Sequence, residues 1–113
     1  VNMMIFREHT EDVYTGLEVR AESEQAKELS AFVEKLLGRS ILIGSAIGIK
    51  PMSKFASKRL VRMAMEYALA AKSPSLAIVH EGNIMKFTEG GFREWALEMI
   101  RESFPGQFTE DEG

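Results

Sequence analysis

Three polar side chains occupy positions in this sequence where acid–base and carboxylate-binding chemistry is usually built: Arg7, Tyr14 and Lys86. Arg7 ends a short apolar stretch and begins a polar turn, so its guanidinium can leave the end of a strand and hold a carboxylate through two parallel hydrogen bonds. Tyr14 follows the turn, and a tyrosine flanked by cationic side chains can donate a proton in catalysis. The plainer alternatives are a surface ion pair of Arg7 with Glu8 or Glu11, and an amphipathic tyrosine at the edge of the core.

Lys86 follows a continuous apolar run, residues 76–79, and comes immediately before a predicted helix. The carboxyl ends of strands are where open α/β sheets bind their ligands. A lysine at such an edge is often a desolvated acid–base group, although a solvated lysine on a loop is the simpler interpretation. The position therefore makes Lys86 a candidate catalytic residue.

The spacing of apolar residues and the signals at helix ends predict three helices. Ser23 is the predicted N-cap of the first helix and Gly38 its C-terminal stop. The second helix is predicted over residues 55–72 and the third over residues 88–104, after which a Pro-Gly pair follows. The order helix–strand–helix in the second half predicts an α/β fold. The third helix carries an apolar stripe wide enough to face two partners, formed by Phe92, Trp95, Ala96, Met99, Ile100 and Phe104.

Short apolar stretches between the helices predict strands. Residues 3–7 and 13–19 are expected to pair as a loose hairpin around the acidic turn. Residues 41–50 are rich in β-branched side chains, and Gly44 and Gly48 within them would mark bulges or close backbone approaches, as where strands meet a second chain. The apolar run that precedes the candidate lysine is typical of a strand covered on both faces.

Composition excludes several classes of function. The 113 residues include 14 basic and 17 acidic side chains, well mixed along the chain, so the surface expected for binding nucleic acid or an anionic membrane is missing. No apolar run approaches the roughly 18–20 residues that span a bilayer. With no cysteine there is no disulfide or thiolate site, and the cytoplasm is the expected compartment. His9 and His80 lie far apart, the acidic residues show no ligand spacing, and no glycine-rich phosphate loop occurs, so neither a metal site nor a nucleotide site is predicted.

Three stretches of the chain carry a family pattern. Residues 6–18, F-R-E-H-T-E-D-V-Y-T-G-L-E, are close to F-R-E-N-[ST]-E-D-[IV]-Y-A-G-I-E, and residues 47–51 and 58–62 are close to G-I-G-I-K-P followed by K-R-L-V-R. Residues 79–90, V-H-E-G-N-I-M-K-F-T-E-G, are close to V-H-K-G-N-I-M-K-F-T-E-G. Together they resemble prokaryotic NAD(P)-dependent isocitrate dehydrogenases. The first pattern is shared with isopropylmalate and homoisocitrate dehydrogenases, whereas the third is much more specific.

The resemblance implies an α/β fold that is part of the isocitrate/isopropylmalate dehydrogenase type, with three main helices, short strands and an intersubunit β clasp. It implies that Arg7 binds a substrate carboxylate, that Tyr14 is the general acid, and that Lys86 takes part in proton removal in the neighbouring subunit's active site. The implied reaction is oxidation of isocitrate by hydride transfer to NAD or NADP, followed by decarboxylation to 2-oxoglutarate assisted by Mg²⁺ or Mn²⁺. Two departures stand beside these residues, since His9 and Glu81 replace the family's Asn and Lys.

The same resemblance implies a division of the chain. Residues 1–11 would begin the small domain, residues 12–54 would form a clasp-like region, and residues 55–113 would form part of the small domain with a dimer-interface helix over 88–104. We expect a homodimer through the clasp and this helix. Because the chain begins at Val1 in an apolar stretch, we expect a piece of a longer protein, although simple processing would give the same start. The resemblance implies that the family's metal-binding Asp residues and nucleotide-binding segment lie beyond Gly113, so we expect this chain to be inactive alone and to bind no cofactor tightly. A non-enzymatic dimerisation module and a related isopropylmalate or homoisocitrate dehydrogenase remain open alternatives.

Overall fold

Two compact units make up the computed structural model, which describes residues 3–111. The first unit joins the chain up to Asp12 to the chain from Pro51 onward, and the second is the continuous stretch Val13–Lys50. The division of the chain into three family regions stays a prediction. In chain order the elements are a 3-10 turn (Asp12–Thr15), β1 (Glu18–Val19), α1 (Glu24–Leu37), β2 (Ile47–Gly48), α2 (Lys54–Ala70) and α3 (Glu89–Ser103).

The three predicted helices are confirmed, with ends within two residues of those expected. Ser23 caps α1, since its side-chain oxygen accepts a hydrogen bond from the Ala26 N–H at 3.1 Å. Gly38 ends α1 in the left-handed conformation with φ 68°, which glycine adopts without a steric penalty. Ser53 caps α2 in the same way as Ser23 caps α1, through the Ala56 N–H. Local cap chemistry therefore sets the beginnings of both helices.

The predicted hairpin is wrong. Residues 3–7 form an irregular segment, and residues 13–19 begin inside the 3-10 turn rather than in a strand. β1 pairs instead with β2 in an antiparallel ladder that places Val19 opposite Ile47. The strand that pairs with β1 thus follows α1 in the sequence. The alternation of residues within 13–19 alone does not predict this pairing.

The strand predicted over residues 41–50 is mostly wrong, since only Ile47–Gly48 belongs to a strand. A turn interrupts the stretch at Gly44, which has φ 88°, and the Ser45 N–H donates to the Leu42 carbonyl at 3.2 Å. Gly44 is thus a turn residue and not a bulge. No close backbone approach is found at Gly48 either, because an added Cβ would lie at an ordinary contact distance, 4.0 Å, from the Leu17 carbonyl oxygen.

The apolar run before Lys86 is also not a strand covered on both faces. Leu76 and Ile78 pack against the core, whereas Val79 is 87% exposed. The side chains alternate as they would in a strand, but among residues 3–111 no other strand pairs with this run. This run therefore pairs with no described strand, and its side that carries Val79 is exposed to solvent.

Helices α2 and α3 pack against each other and form the core of the first unit. Ala96 is fully buried at this contact. A small side chain at the centre of a helix contact allows the two backbones to approach closely. Burial of one large aliphatic side chain stabilises a fold by about 1.5–3 kcal/mol. The residues that surround Ala96, none more than 6% exposed, are Val61, Met65, Met99 and Ile100.

Much of the apolar stripe of α3 is used inside the first unit. Phe92 and Phe104 pack against the core cluster. The Trp95 ring lies over Gly91, where an added Cβ would come within 3.1 Å of it. The second partner expected for this stripe stays a prediction.

Polar side chains of α2 and α3 contact one another at successive positions along the two helices. The Lys58 Nζ donates to the Glu98 Oε1 at 2.7 Å, and the Lys54 Nζ lies 3.4 Å from the same oxygen. Farther along, the Arg62 Nη2 donates to the Ser103 hydroxyl at 3.3 Å. The contacts advance in the same direction on both helices, so the helices run roughly parallel. The hydrogen bond from Lys58, with help from Lys54, holds the pKa of the Glu98 carboxyl below its ordinary value.

The turn that follows Arg7 is fastened to the beginning of α2. The Glu11 carboxylate accepts a hydrogen bond from the Ser53 N–H at 2.8 Å, and the Asp12 N–H donates to the Pro51 carbonyl at 2.9 Å. Two connections thus join the polar turn to the N-terminal end of this helix. The turn cannot shift without breaking hydrogen bonds at the helix cap.

Glu8 organises the same turn. Its Oε1 accepts from the Thr10 N–H at 2.7 Å and from the Thr10 hydroxyl at 2.5 Å, and the Arg59 guanidinium donates to that hydroxyl at 3.3 Å. Partial burial raises the pKa of the Glu8 carboxyl, but the Thr10 hydrogen bonds and the charge of Arg59 outweigh it and hold the pKa below its ordinary value of 4.5. The ionised form is therefore the one that the fold stabilises.

We predict that the Thr10→Val variant raises the pKa of Glu8 toward 4.5, because it removes the hydroxyl donor and keeps the N–H. A carboxyl whose pKa is lower in the folded state stabilises the fold above its unfolded pKa and loses this effect as the pH falls through its folded pKa. The variant should thus lose more stability at pH 7 than at pH 3, where more of the Glu8 carboxyl is protonated. Carboxyl-carbon NMR titration and urea unfolding at both pH values measure these effects. The exposed Thr109→Val is the matched control, and an unchanged Glu8 titration in Thr10→Val would contradict the prediction.

Candidate functional site

Arg7 lies at the junction between the irregular segment that begins at residue 3 and the turn that is hydrogen-bonded to the start of α2. Phe6, on one side, packs its ring against Tyr67 of α2, with centroids 5.6 Å apart and planes tilted by 58°. Glu8, on the other side, belongs to the hydrogen-bonded turn. The backbone of Arg7 is thus held from both sides while its side chain is exposed. This placement suits a guanidinium that binds a carboxylate from solution.

Tyr14 belongs to the second unit and lies in the 3-10 turn. The turn begins at Asp12 with φ 62° and is followed by Gly16 with φ 73°. Two left-handed residues so close together prevent an extended strand here. Tyr14 is 47% exposed, so it is not enclosed within a core.

Lys86 lies on the loop of residues 81–88, which several backbone hydrogen bonds hold and which we call the Lys86 loop. The Met85 N–H donates to the Glu81 carbonyl at 3.1 Å, and the Met85 carbonyl accepts from the Glu89 and Gly90 N–H groups at 3.0 and 3.1 Å. Both backbone groups of the residue before Lys86 are therefore engaged. The Lys86 side chain itself is exposed, as are its apolar neighbours Ile84 and Phe87 on the same loop, which are 81% and 93% exposed.

Two side chains that the sequence analysis did not single out as site residues also hold this loop. The His80 Nδ1 accepts a hydrogen bond from the Gly82 N–H at 3.0 Å, and the Glu89 Oε1 accepts from the Glu81 N–H at 3.1 Å. The only sequence signals were a histidine two residues before a glycine and a glutamate in the first turn of α3. Neither pattern is specific enough to have predicted these bonds.

The three candidates reach the surface from three separate segments. The Arg7 turn is fastened to the beginning of α2, and the Lys86 loop leads into the beginning of α3, both within the first unit. Tyr14 belongs to the second unit. Each side chain is exposed on a turn or loop, which the plainer interpretations also allow. The catalytic and substrate-binding roles therefore stay predictions.

The described residues contain no ready-made cluster of metal ligands. Within residues 3–111, no group of three or more His, Asp or Glu side chains is arranged to hold a metal ion. Open grooves lie beside β1, along the start of α1 and along β2, and none of the three candidate residues lines them. In the same range no helix is both long and apolar enough to cross a membrane.

Comparison with known proteins places these features in a family. The family model for isocitrate/isopropylmalate dehydrogenase matches residues 1–111. The isocitrate dehydrogenase [NADP] of Archaeoglobus fulgidus is 52% identical over 114 residues, which are 99% of this chain and 27% of that protein. The isocitrate dehydrogenase [NADP] of Haloferax volcanii is 48% identical over 116 residues, 99% of this chain and 28% of that protein.

A solved structure supports the same assignment. The crystal structure of isocitrate dehydrogenase from Methylococcus capsulatus matches with a TM-score of 0.60 and 27% identity, covering 84% of this chain and 23% of that one. The three helices with short strands thus form part of the fold found in that enzyme, as predicted. The chain spans little more than a quarter of the length of the curated relatives named here. It belongs to the isocitrate/isopropylmalate dehydrogenase family.

Proposed function

We propose that this chain is the segment of an NADP-linked isocitrate dehydrogenase that supplies Arg7, Tyr14 and Lys86 to catalysis. The observation that carries the proposal is the 52% identity along 99% of the chain to an enzyme named isocitrate dehydrogenase [NADP]. The geometry supports it, because the Arg7 and Lys86 side chains are both exposed on positioned segments. Lys86 lies on a loop with hydrogen-bonded backbone, and Arg7 lies between the Phe6–Tyr67 ring contact and the hydrogen-bonded turn of Glu8. Preorganised backbone is what a positioned binding or acid–base group requires.

The chemistry follows from the three side chains. Arg7 binds one substrate carboxylate through paired N–H groups and so orients isocitrate. Lys86, in its neutral form, accepts through Nζ the proton that leaves the substrate hydroxyl during oxidation. Tyr14 donates its hydroxyl proton to the carbon that has lost carbon dioxide. A positioned acid and base of this kind each contribute about 10²- to 10⁴-fold to the rate.

NADP is the proposed hydride acceptor, since the relatives named above carry NADP in their names. A divalent cation, Mg²⁺ or Mn²⁺, is proposed from the family resemblance alone. No cluster of three or more acidic or histidine side chains among the described residues could hold a metal ion, and the sequence carries no glycine-rich phosphate loop. We therefore propose that other parts of the enzyme bind both groups. We expect this chain alone to bind neither tightly and to show no turnover. The cytoplasm is the proposed compartment, on the ground that the sequence has no cysteine.

Isocitrate is favoured over isopropylmalate and homoisocitrate as the substrate. The family description covers isopropylmalate as well. The relatives from Archaeoglobus fulgidus, Haloferax volcanii and Pseudomonas aeruginosa, which are 42–52% identical to this chain, are nevertheless each named isocitrate dehydrogenase [NADP].

The kinetic test uses the Archaeoglobus fulgidus enzyme with its matching stretch replaced by this chain. We expect this chimera to oxidise isocitrate with NADP. Tyr14→Phe and Lys86→Met should each lower kcat by about 10²- to 10⁴-fold, because each removes an acid–base group. Arg7→Gln should lower kcat/KM by roughly 10- to 100-fold, mainly through KM, because a charge-assisted pair with a substrate carboxylate is lost.

Matched substitutions elsewhere on the chain separate these effects from general disturbance. Tyr67→Phe, Lys35→Met and Arg39→Gln change the same residue types at exposed positions and should keep kcat and kcat/KM within about twofold, as surface substitutions usually do. A chimera that assembles but has no activity, or candidate variants as active as their controls, would contradict the proposed function.

A second copy of this chain is the proposed partner, through the second unit and α3. In the turn between α1 and β2, Leu42 is 84% exposed and Ile43 is 98% exposed. Strands of two residues are too short to stand alone, and such sheets usually need further strands or a packed face. An apolar turn beside a short open sheet is the surface that a clasp between two subunits would cover.

Light scattering of the chain over a concentration series tests this partner. We expect a mass of twice the 12.7 kDa chain, and we expect Ile43→Ser to shift the equilibrium toward monomer by removing apolar area from the interface. Val79→Ser removes a similarly exposed apolar side chain from the first unit and should leave the mass unchanged. A folded monomer at all concentrations would rule out dimerisation by this segment alone.

A further inference from the structure

His80 immediately precedes the Lys86 loop, and its side chain is hydrogen-bonded to the backbone of that loop. Its Nδ1 accepts from the Gly82 N–H at 3.0 Å. A Cβ added at Gly82 would lie 2.9 Å from that Nδ1, 3.2 Å from the His80 Cε1 and 3.4 Å from the Gly90 Cα. The imidazole, the glycine and the first turn of α3 are therefore packed together, and any side chain at position 82 would push the ring away.

The bond to Gly82 acts with a second bond at the same end of the loop. The Glu89 Oε1 accepts from the Glu81 N–H at 3.1 Å, so α3 reaches back across the loop to its first residue. The N–H groups of two consecutive residues are thus held by side chains on either side of the loop. From there the chain continues to Met85, whose N–H returns to the Glu81 carbonyl. A shift of Glu81 would therefore also displace Met85, the residue before Lys86, through this hydrogen bond.

We propose that His80 is a positioning residue for Lys86: its unprotonated Nδ1 fixes the Gly82 N–H and, with Glu89, holds the loop in the conformation that presents the lysine. The imidazole must carry its proton on Nε2, because a nitrogen that bears hydrogen cannot accept from an N–H. The inference rests on the proposed catalytic role of Lys86. His80 itself touches no reacting atom in this account, and it acts through the backbone.

Two substitutions of His80 distinguish its role as a hydrogen-bond acceptor from the space that its ring fills. Asparagine places a side-chain oxygen near the position of Nδ1 and commonly accepts from the N–H two residues onward. Leucine fills similar space without an acceptor. We therefore expect His80→Asn to keep the loop ordered and His80→Leu to release it. Gly82→Ala should resemble His80→Leu, since the added methyl group displaces the ring.

The first experiment measures the protonation site of His80 and the protection of the Gly82 amide in the chain itself. Imidazole ¹⁵N shifts should show protonated Nε2 and an unprotonated Nδ1 that accepts a hydrogen bond. Amide exchange at Gly82 should accelerate about 2- to 10-fold in His80→Leu, as expected for loss of one net hydrogen bond, and should stay near the original rate in His80→Asn. A proton on Nδ1, or equal Gly82 exchange in both variants, would overturn the proposal whatever the chain catalyses.

The second experiment measures kcat and KM for isocitrate in the chimeric enzyme. His80→Leu should lower kcat by about 10- to 100-fold, as for a catalytic group displaced by roughly an ångström, with KM for isocitrate changed less than threefold. His80→Asn should restore most of kcat. Equal kcat in the two variants would overturn the inference. Loss of activity in these variants without loss in Lys86→Met would instead contradict the role of Lys86, so the two failures are distinguishable.

Discussion

The contact between α2 and α3 is the constraint on which the first unit depends. Ala96 has no exposed surface, and an apolar cluster from both helices closes around it. A larger side chain at that position would force the helices apart, since interiors are packed too tightly to absorb additional methylene groups without strain. The Lys58–Glu98 ion pair, which is partly buried, favours one alignment of the two helices. Apolar packing alone would specify that alignment less strictly.

The candidate functional segments are attached to the beginnings of these same two helices. The Arg7 turn is joined to the start of α2 because the Glu11 carboxylate accepts from the Ser53 N–H and the Asp12 N–H donates to the Pro51 carbonyl. The Lys86 loop runs into α3, and Glu89 of that helix holds the first residue of the loop. Loops tend to carry function when a rigid scaffold positions them. A change in the packing of α2 on α3 would therefore move Arg7 and Lys86 relative to each other, even though neither touches the core.

The helices could be predicted from sequence because their determinants are local. Ser23, Gly38 and Ser53 act within one turn of the helix end that each defines, and the apolar period of α3 extends over four turns. The strands could not, because a strand depends on its partner. The stretch 13–19 alternates well enough, but its pairing residues lie beyond α1, and residues 76–79 have no paired strand in the part of the chain that the structure describes.

The candidate site shows the same limit. Arg7, Tyr14 and Lys86 could be selected by residue type, position and family pattern. His80 and Glu89 could not, since their importance lies in hydrogen bonds to backbone groups in a loop whose shape no short pattern predicts. Side chains that bond to loop backbone are visible only when the path of the loop is known.

Amide hydrogen exchange, measured residue by residue on the chain, tests most directly whether the α2–α3 contact supports the first unit. The most buried residues of a cooperative core exchange only by global opening. The account predicts that the amides of Met65, Ala96 and Ile100 are the slowest in the chain, and that the Lys86 loop exchanges faster, through local opening. Exchange in α2 and α3 that is no slower than in α1 or at Ile49 beside β2 would contradict it.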